Sequence, residues 1–199
     1  MELWYIGLFL YLLFYNRIFF NIVNNHYSLT DKQKSYVLSF RNAIVLSIFA
    51  ILFNIYYIFY GELFPNMSVA VLIYFTSYLV SDLIIGIKEY PRNISLVEGY
   101  IHHIIYIIIN MWVILYNFDA VPFYMLFFLA EIPTALLGYY NLFEKNKNKK
   151  LYSNLFLIFR IVAMIGLIVL TLNKSIIKYF ALPILGLHLY WYRKSIKKN

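Results

Sequence analysis

Two adjacent histidines, His102 and His103, stand near the start of a run from Gly99 to Trp112 that is otherwise apolar enough to cross a bilayer. Ionisable side chains in hydrocarbon are costly unless they meet partners or water, so an intramembrane pair marks a functional site by default. A neutral imidazole can serve as base or nucleophile, and a carboxylate beside it fixes its tautomer and raises its basicity. Asp82 and Glu131 are the carboxylates at suitable depth, and with His102 and His103 they form the candidate catalytic set. Arg160, Asn110, Tyr106 and Thr134 form a second set, suited to binding a lipid. The competing reading of the pair is structural, with both rings hydrogen-bonding headgroups or neighbouring helices. His188, beside Tyr190 and Trp191, reads as an interfacial anchor.

Spacing narrows the chemistry. His103, Tyr106 and Asn110 recur at helical intervals and share one face. His102 must point about 100° away, so the two rings cannot chelate one ion as histidines at i and i+4 do. With no cysteine in the chain, neither a metal nor a cofactor is expected. Further on, Ala-Glu-Ile-Pro-Thr spans 130–134, and Pro133 frees the carbonyl of Leu129, which predicts a kink beside Glu131. Arg160, at nearly the same depth on the next helix, is the natural partner for Glu131. Glycines at 86, 138, 166 and 186 offer places for close helix approach.

The elements that must hold these groups follow from hydropathy. The 199 residues are 63% hydrophobic and 13% charged, with mean hydropathy +0.70, far from soluble norms. The apolar stretches predict seven spans at 3–20, 42–60, 68–87, 100–116, 121–141, 153–173 and 176–191, each near the crossing length. The fold class is all-α, a polytopic transmembrane helix bundle. Long continuous apolar runs argue against barrel strands, which would alternate. Span one lacks a basic leader, since Glu2 precedes Leu3, and reads as an uncleaved helix. Once the spans are drawn, Lys32, Lys34, Arg41, Lys88, Arg92, Lys145, Lys147, Lys149, Lys150, Arg193, Lys194, Lys197 and Lys198 gather on one side. The opposite loops hold Lys174 and Lys178. The positive-inside rule then puts the C-terminus in the cytosol and the N-terminus outside or in a lumen. The net charge of +8 is accounted for by membrane-end lysines and arginines, so no nucleic-acid partner is expected.

The order of these features resembles the TLC domain family, named for translocating-chain-associating membrane proteins, the longevity-assurance ceramide synthases and a neuronal ceroid lipofuscinosis protein. The carrying segments are Ser-Asp-Leu-Ile-Ile-Gly at 81–86, the loop Tyr-Pro-Arg-Asn-Ile-Ser-Leu-Val-Glu-Gly ending at Gly99, His102-His103, Ala-Glu-Ile-Pro-Thr, and Phe-Arg-Ile at 159–161. The resemblance covers about residues 34–192 and implies a six-helix core. One helix and a connecting loop (1–33) precede it, and a basic cytosolic tail (193–199) follows. In ceramide synthases it implies acyl-CoA-dependent N-acylation of a sphingoid base by the His pair and a later His-Asp-x-x-Asp stretch. Here Ala130, Glu131 and Thr134 stand where that stretch has its histidine and two aspartates, which is more like the non-synthase branch linked to membrane lipid composition. The expectation is a lipid-handling protein of the endoplasmic reticulum or another intracellular membrane, with a membrane lipid or acyl chain as partner. The alternatives are an acyltransferase using acyl-CoA as cosubstrate and a non-catalytic translocon-associated protein. The sequence leaves a homodimer open.

Overall fold

The computed structural model describes residues 3–61, 65–116, 127–171 and 177–197. All regular structure among them is helical: α1 (Leu3–Tyr27), α2 (Asp31–Tyr60), α3 (Pro65–Glu89), α4 (His102–Tyr116), α5 (Ile132–Leu142), α6 (Lys149–Phe156), α7 (Ala163–Thr171) and α8 (Ile177–Lys197). A 3-10 turn, Pro91–Asn93, follows α3, and another, Phe127–Glu131, leads into α5. Two π-helical segments, Leu96–Ile101 before α4 and Leu157–Val162 between α6 and α7, complete the set.

Four of these helices are long and apolar enough to cross a membrane: Leu3–Tyr27, Asp31–Tyr60, Asn66–Glu89 and Gly99–Tyr116. They coincide with the first four predicted spans, although α2 begins well before residue 42. Its extra turns have a local cause. Thr30 caps the helix in a reciprocal box with Gln33, so the polar segment from Asp31 continues the helix rather than ending as loop. The first part of predicted span five, 121–126, lies outside the described residues, as does 172–176, which takes in the end of span six and the start of span seven. The sixth is one helical rod over 149–171 interrupted by a π segment.

α3 is the centre and α1 the periphery: 67% of the apolar window of α3 is buried, against 11% for α1. α3 packs against α1, α2 and α4, while α2 packs closely along α5. Gly138 allows that last approach, because a Cβ there would stand 2.8 Å from Cβ of Phe40. Gly86 and Gly99 are both covered by Ile94, which folds the 90–99 connection back over the end of α3. Gly166 and Gly186 have open space around them and mark no close approach. Polar ties complement the apolar core, as expected where lipid supplies little hydrophobic driving force. Arg41 donates to Oδ1 of Asn16, Asn16 donates to Ser81 at 3.0 Å, and the rings of Phe19, Tyr15 and Tyr74 surround the guanidinium.

The predicted kink at Pro133 takes a definite form. Phe127–Glu131 winds as a tight 3-10 turn, and α5 starts at Ile132 with Pro133 in its first turn. The missing proline N–H therefore falls where a helix has no internal partner for it.

Candidate functional site

Two of the segments that carry site residues contain π turns, a feature that often accompanies functional positions in helices. The first, Leu96–Ile101, delivers the chain into His102 and His103. The second, Leu157–Val162, holds Arg160. Each widened turn rotates the residues after it relative to a regular helix and loosens the i to i+4 backbone ladder.

His103 is 7% exposed, and its Nδ1 lies 3.6 Å from Oδ2 of Asp82, beyond ordinary hydrogen-bond length. Asp82 itself is held by Tyr90, whose hydroxyl donates to Oδ1 at 2.7 Å. Burial first, then the Asp82 charge, pushes the Tyr90 hydroxyl well above its ordinary pKa, so it stays a donor. Asp82 thus stands beside His103 and not His102, with Tyr90 as a neighbour that hydropathy gave no reason to include. The edge of Tyr78 meets the His103 ring at a centroid distance of 5.8 Å.

His102 points elsewhere, as the helical geometry requires. Its ring lies 4.5 Å from Tyr106 and 5.3 Å from Trp191. Tyr106 thus stands against His102, four residues before it, at a spacing that juxtaposes side chains as well as three does. Asn110 turns away from the cavities: it is fully buried and donates to Thr76 Oγ1 at 3.1 Å, tying α4 to α3. Its Oδ1 has no hydrogen-bond partner among the described residues, nor does Nδ1 of either His102 or His103.

Arg160 reaches the Ala130–Thr134 segment, but differently from a simple ion pair. Its Nε donates to the carbonyl of Ala130 at 2.8 Å, and its Nη2 donates to the hydroxyl of Thr134. The Arg160 charge acts on the Glu131 carboxylate through space, and the Thr134 hydroxyl acts on it as well. No direct Glu131–Arg160 salt bridge forms among the described residues. The 3-10 turn presents the Ala130 carbonyl to the guanidinium, which takes the place the carboxylate was expected to fill. Phe156 and Trp191 stack near the same cation at 5.0 and 5.8 Å.

His188 corrects the sequence reading. It is 3% exposed, and its Nδ1 lies 3.2 Å from the carbonyl of Arg160. It faces inward with Trp191, at a ring separation of 5.7 Å, rather than anchoring the chain at the interface. The signal that could have found it is its three-residue spacing from Trp191 on an otherwise apolar helix.

These groups surround two cavities. The larger, about 460 Å³, is lined by His102, His103, Glu131, Thr134 and Arg160 among apolar and aromatic neighbours that include Tyr78, Leu137, Phe156 and Trp191. Ser39, Tyr152 and Lys147 contribute further polar groups to its wall. Burial, then the charge of Lys32, holds the Lys147 ammonium below the ordinary lysine pKa. The smaller cavity, about 40 Å³, lies between His102, Tyr106, Glu131, Arg160 and His188, with Phe127, Phe128 and Met164 closing it. It is of the size of one or two waters. His102, Glu131 and Arg160 border both spaces, while Asp82 borders neither and stands behind His103. Among the described residues no group of three metal-ligating side chains comes together.

Comparison with protein-family models, with curated proteins and with solved structures finds no match to this chain.

Proposed function

We propose that this chain is a multi-pass membrane protein that holds a lipid or acyl chain in the larger cavity and thereby influences membrane lipid composition. The observation that carries the reading is the make-up of that space: about 460 Å³, within the range of small-molecule sites, with apolar rings on one part of its wall and His102, His103, Glu131, Thr134 and Arg160 on another. An amphiphile needs both kinds of surface. In this reading the bundle has seven spans, the basic loops and the C-terminus face the cytosol, and the membrane is the endoplasmic reticulum or another intracellular one. Membership in the non-synthase branch of the TLC family is part of the proposal and rests on the order of its segments, from Ser81–Gly86 to Phe159–Ile161.

A second reading, acyl transfer, is favoured by the two buried imidazole nitrogens without hydrogen-bond partners, Nδ1 of His102 and of His103. An unprotonated imidazole there would accept the proton of a lipid amine as its nitrogen forms a bond to the acyl carbon of acyl-CoA. The carbon–sulfur bond breaks in the same exchange, and the thiol leaves with a proton.

Photoactivatable lipid crosslinking to the purified full-length protein, with the sites mapped by mass spectrometry, tests the first reading. Labelling should fall on α4, α5 and α8 and be reduced in Leu137→Trp, which puts an indole into the cavity while keeping an apolar wall. Labelling unchanged by that substitution would overturn cavity binding. Turnover of acyl-CoA with a sphingoid base, abolished by His102→Ala or His103→Ala, would select the second reading.

A further inference from the structure

A separate groove lies on the other flank of α3. Ser81, Ile84, Ile85 and Lys88 fall at i, i+3, i+4 and i+7, so they form one stripe along the helix. Leu13 and Arg17 of α1, four residues apart, face that stripe, and together the six side chains line a groove of about 300 Å³. It shares no lining residue with the two cavities around the His pair.

The groove is polar at two heights and apolar between them. At its rim, Arg17 pairs with Glu89 at 2.9 Å, which offsets the Arg17 charge and bridges α1 to α3. Lys88 is exposed and forms no ion pair among the described residues, so the rim keeps a net positive charge. Ser81 lies about 10 Å lower by helix rise. It accepts from Asn16, which in turn accepts from Arg41, so a cation polarises the chain of donors that ends at Ser81. With its acceptor side engaged by Asn16, the hydroxyl keeps a proton to give. Asp82 turns away from this flank toward Tyr90 and His103. Leu13, Ile84 and Ile85 form the apolar wall, and Leu10, Phe14 and Ile87 extend an exposed apolar surface beside it.

We infer that this groove binds an anionic glycerophospholipid, with its phosphate at Lys88, its ester region toward Ser81 and an acyl chain along Leu13 and Ile84. Charge complementarity selects the occupant. A zwitterionic lipid supplies the same chains but brings a cation against Lys88, and soluble phosphate supplies the charge without the chains that cover the apolar wall.

The test uses full-length protein in phosphatidylcholine nanodiscs containing phosphatidylserine with a photoactivatable acyl chain. Labelling should map to residues 13–17 and 81–88. Unlabelled phosphatidylserine should compete, while added phosphatidylcholine or inorganic phosphate should not. Lys88→Gln, at an exposed position, should weaken phosphatidylserine binding about fivefold, the effect of losing one lysine's attraction to an anionic headgroup. Leu13→Trp, which puts an indole into the groove, should reduce labelling here and leave labelling of the larger cavity intact. Equal labelling by photoactivatable phosphatidylcholine, indifference to Lys88→Gln, or competition by inorganic phosphate alone would each overturn the site.

Discussion

The imidazole of His188 donates its Nδ1 proton to the backbone carbonyl of Arg160, 3.2 Å away on the neighbouring rod. A carbonyl only accepts, so the contact fixes the ring as the Nδ1–H tautomer and leaves Nε2 as the acceptor. Arg160 sits inside the π segment Leu157–Val162, where the widened turn loosens the backbone ladder around its carbonyl. One residue thus joins the two sides of the smaller cavity: its guanidinium holds Ala130 and Thr134, and its carbonyl holds His188.

This relationship separates two substitutions. His188→Asn can keep a side-chain N–H near the position of Nδ1 and should retain most of the stability of the parent. His188→Ala leaves the carbonyl without its donor and should cost about 1–2 kcal/mol, the scale of hydrogen bonds between membrane helices. Thermal unfolding of both variants in one detergent checks the ranking. Equal losses would show that the ring acts here through volume alone.

The two histidines of the pair have separable roles. His102 borders both cavities, whereas His103 borders only the larger and is backed by Asp82 and Tyr90. From shared helical faces alone, His103 would be the more sensitive position, because Tyr106 and Asn110 lie on its side. The arrangement of the rings reverses that order for ligand binding. His102→Ala should reduce lipid crosslinking more than His103→Ala, while His103→Ala should lower the thermal midpoint more. Crosslinking yield and fluorescence size-exclusion profile, read on the same preparations, decide it.

Depth along the helices was legible in the sequence, and rotation about them was not. Asp82 near His103 and Arg160 near the Ala130–Thr134 segment follow from counting residues inward from the span ends. The contact of Arg160 with the Thr134 hydroxyl does not, because it depends on a π turn on one side and a 3-10 turn on the other, and neither changes hydropathy. Tyr90 was hidden for a related reason: it lies beyond the end of α3, in a connection that turns back under Ile94. The first four spans stood out because they are continuous apolar runs. The later rods are broken by Pro133 and by the π segment at Arg160, where the irregular backbone presents the polar groups.

Thr134 should couple Glu131 to Arg160. Thr134→Val removes the hydroxyl while keeping the shape, and it leaves the Arg160 guanidinium one acceptor short. Glu131→Gln and Arg160→Gln should then be less than additive in the parent, and in the Thr134→Val background the coupling should shrink to what the through-space attraction supplies. A double-mutant cycle by thermal unfolding, run in both backgrounds, measures the change. The same coupling in both would assign it to direct attraction between the charges.

At Gly138 the expectation is steric. A Cβ at this position would stand 2.8 Å from Cβ and 3.1 Å from Cα of Phe40, and backbone cannot step aside as a flexible side-chain end can. Gly138→Ala should therefore destabilise the bundle by about 1–3 kcal/mol through overpacking between α2 and α5. Gly166→Ala, where nothing lies within 4 Å, should be neutral or slightly stabilising in its helix and serves as the control. A smaller loss at Gly138 than at Gly166 would mean that α2 and α5 do not meet there.

Lys147 supplies the pH dependence. It borders the larger cavity from the loop between α5 and α6, and burial with the nearby Lys32 charge lowers its pKa from the ordinary lysine value. The ammonium form attracts an anionic ligand, so binding should weaken as pH rises, and the decline should begin at lower pH than for a freely solvated lysine. The sign for folding is opposite. A depressed lysine pKa means that the folded chain binds fewer protons there than the unfolded one, so this group's contribution to stability grows as pH rises through the folded and then the unfolded pKa. Removing the Lys32 charge with Lys32→Gln should shift the binding decline to higher pH, and Lys147→Gln should remove it. Titration of an anionic amphiphile from neutral to alkaline pH, on parent and both variants, reads all three curves. A decline that persists in Lys147→Gln would place the titrating group elsewhere in the cavity wall.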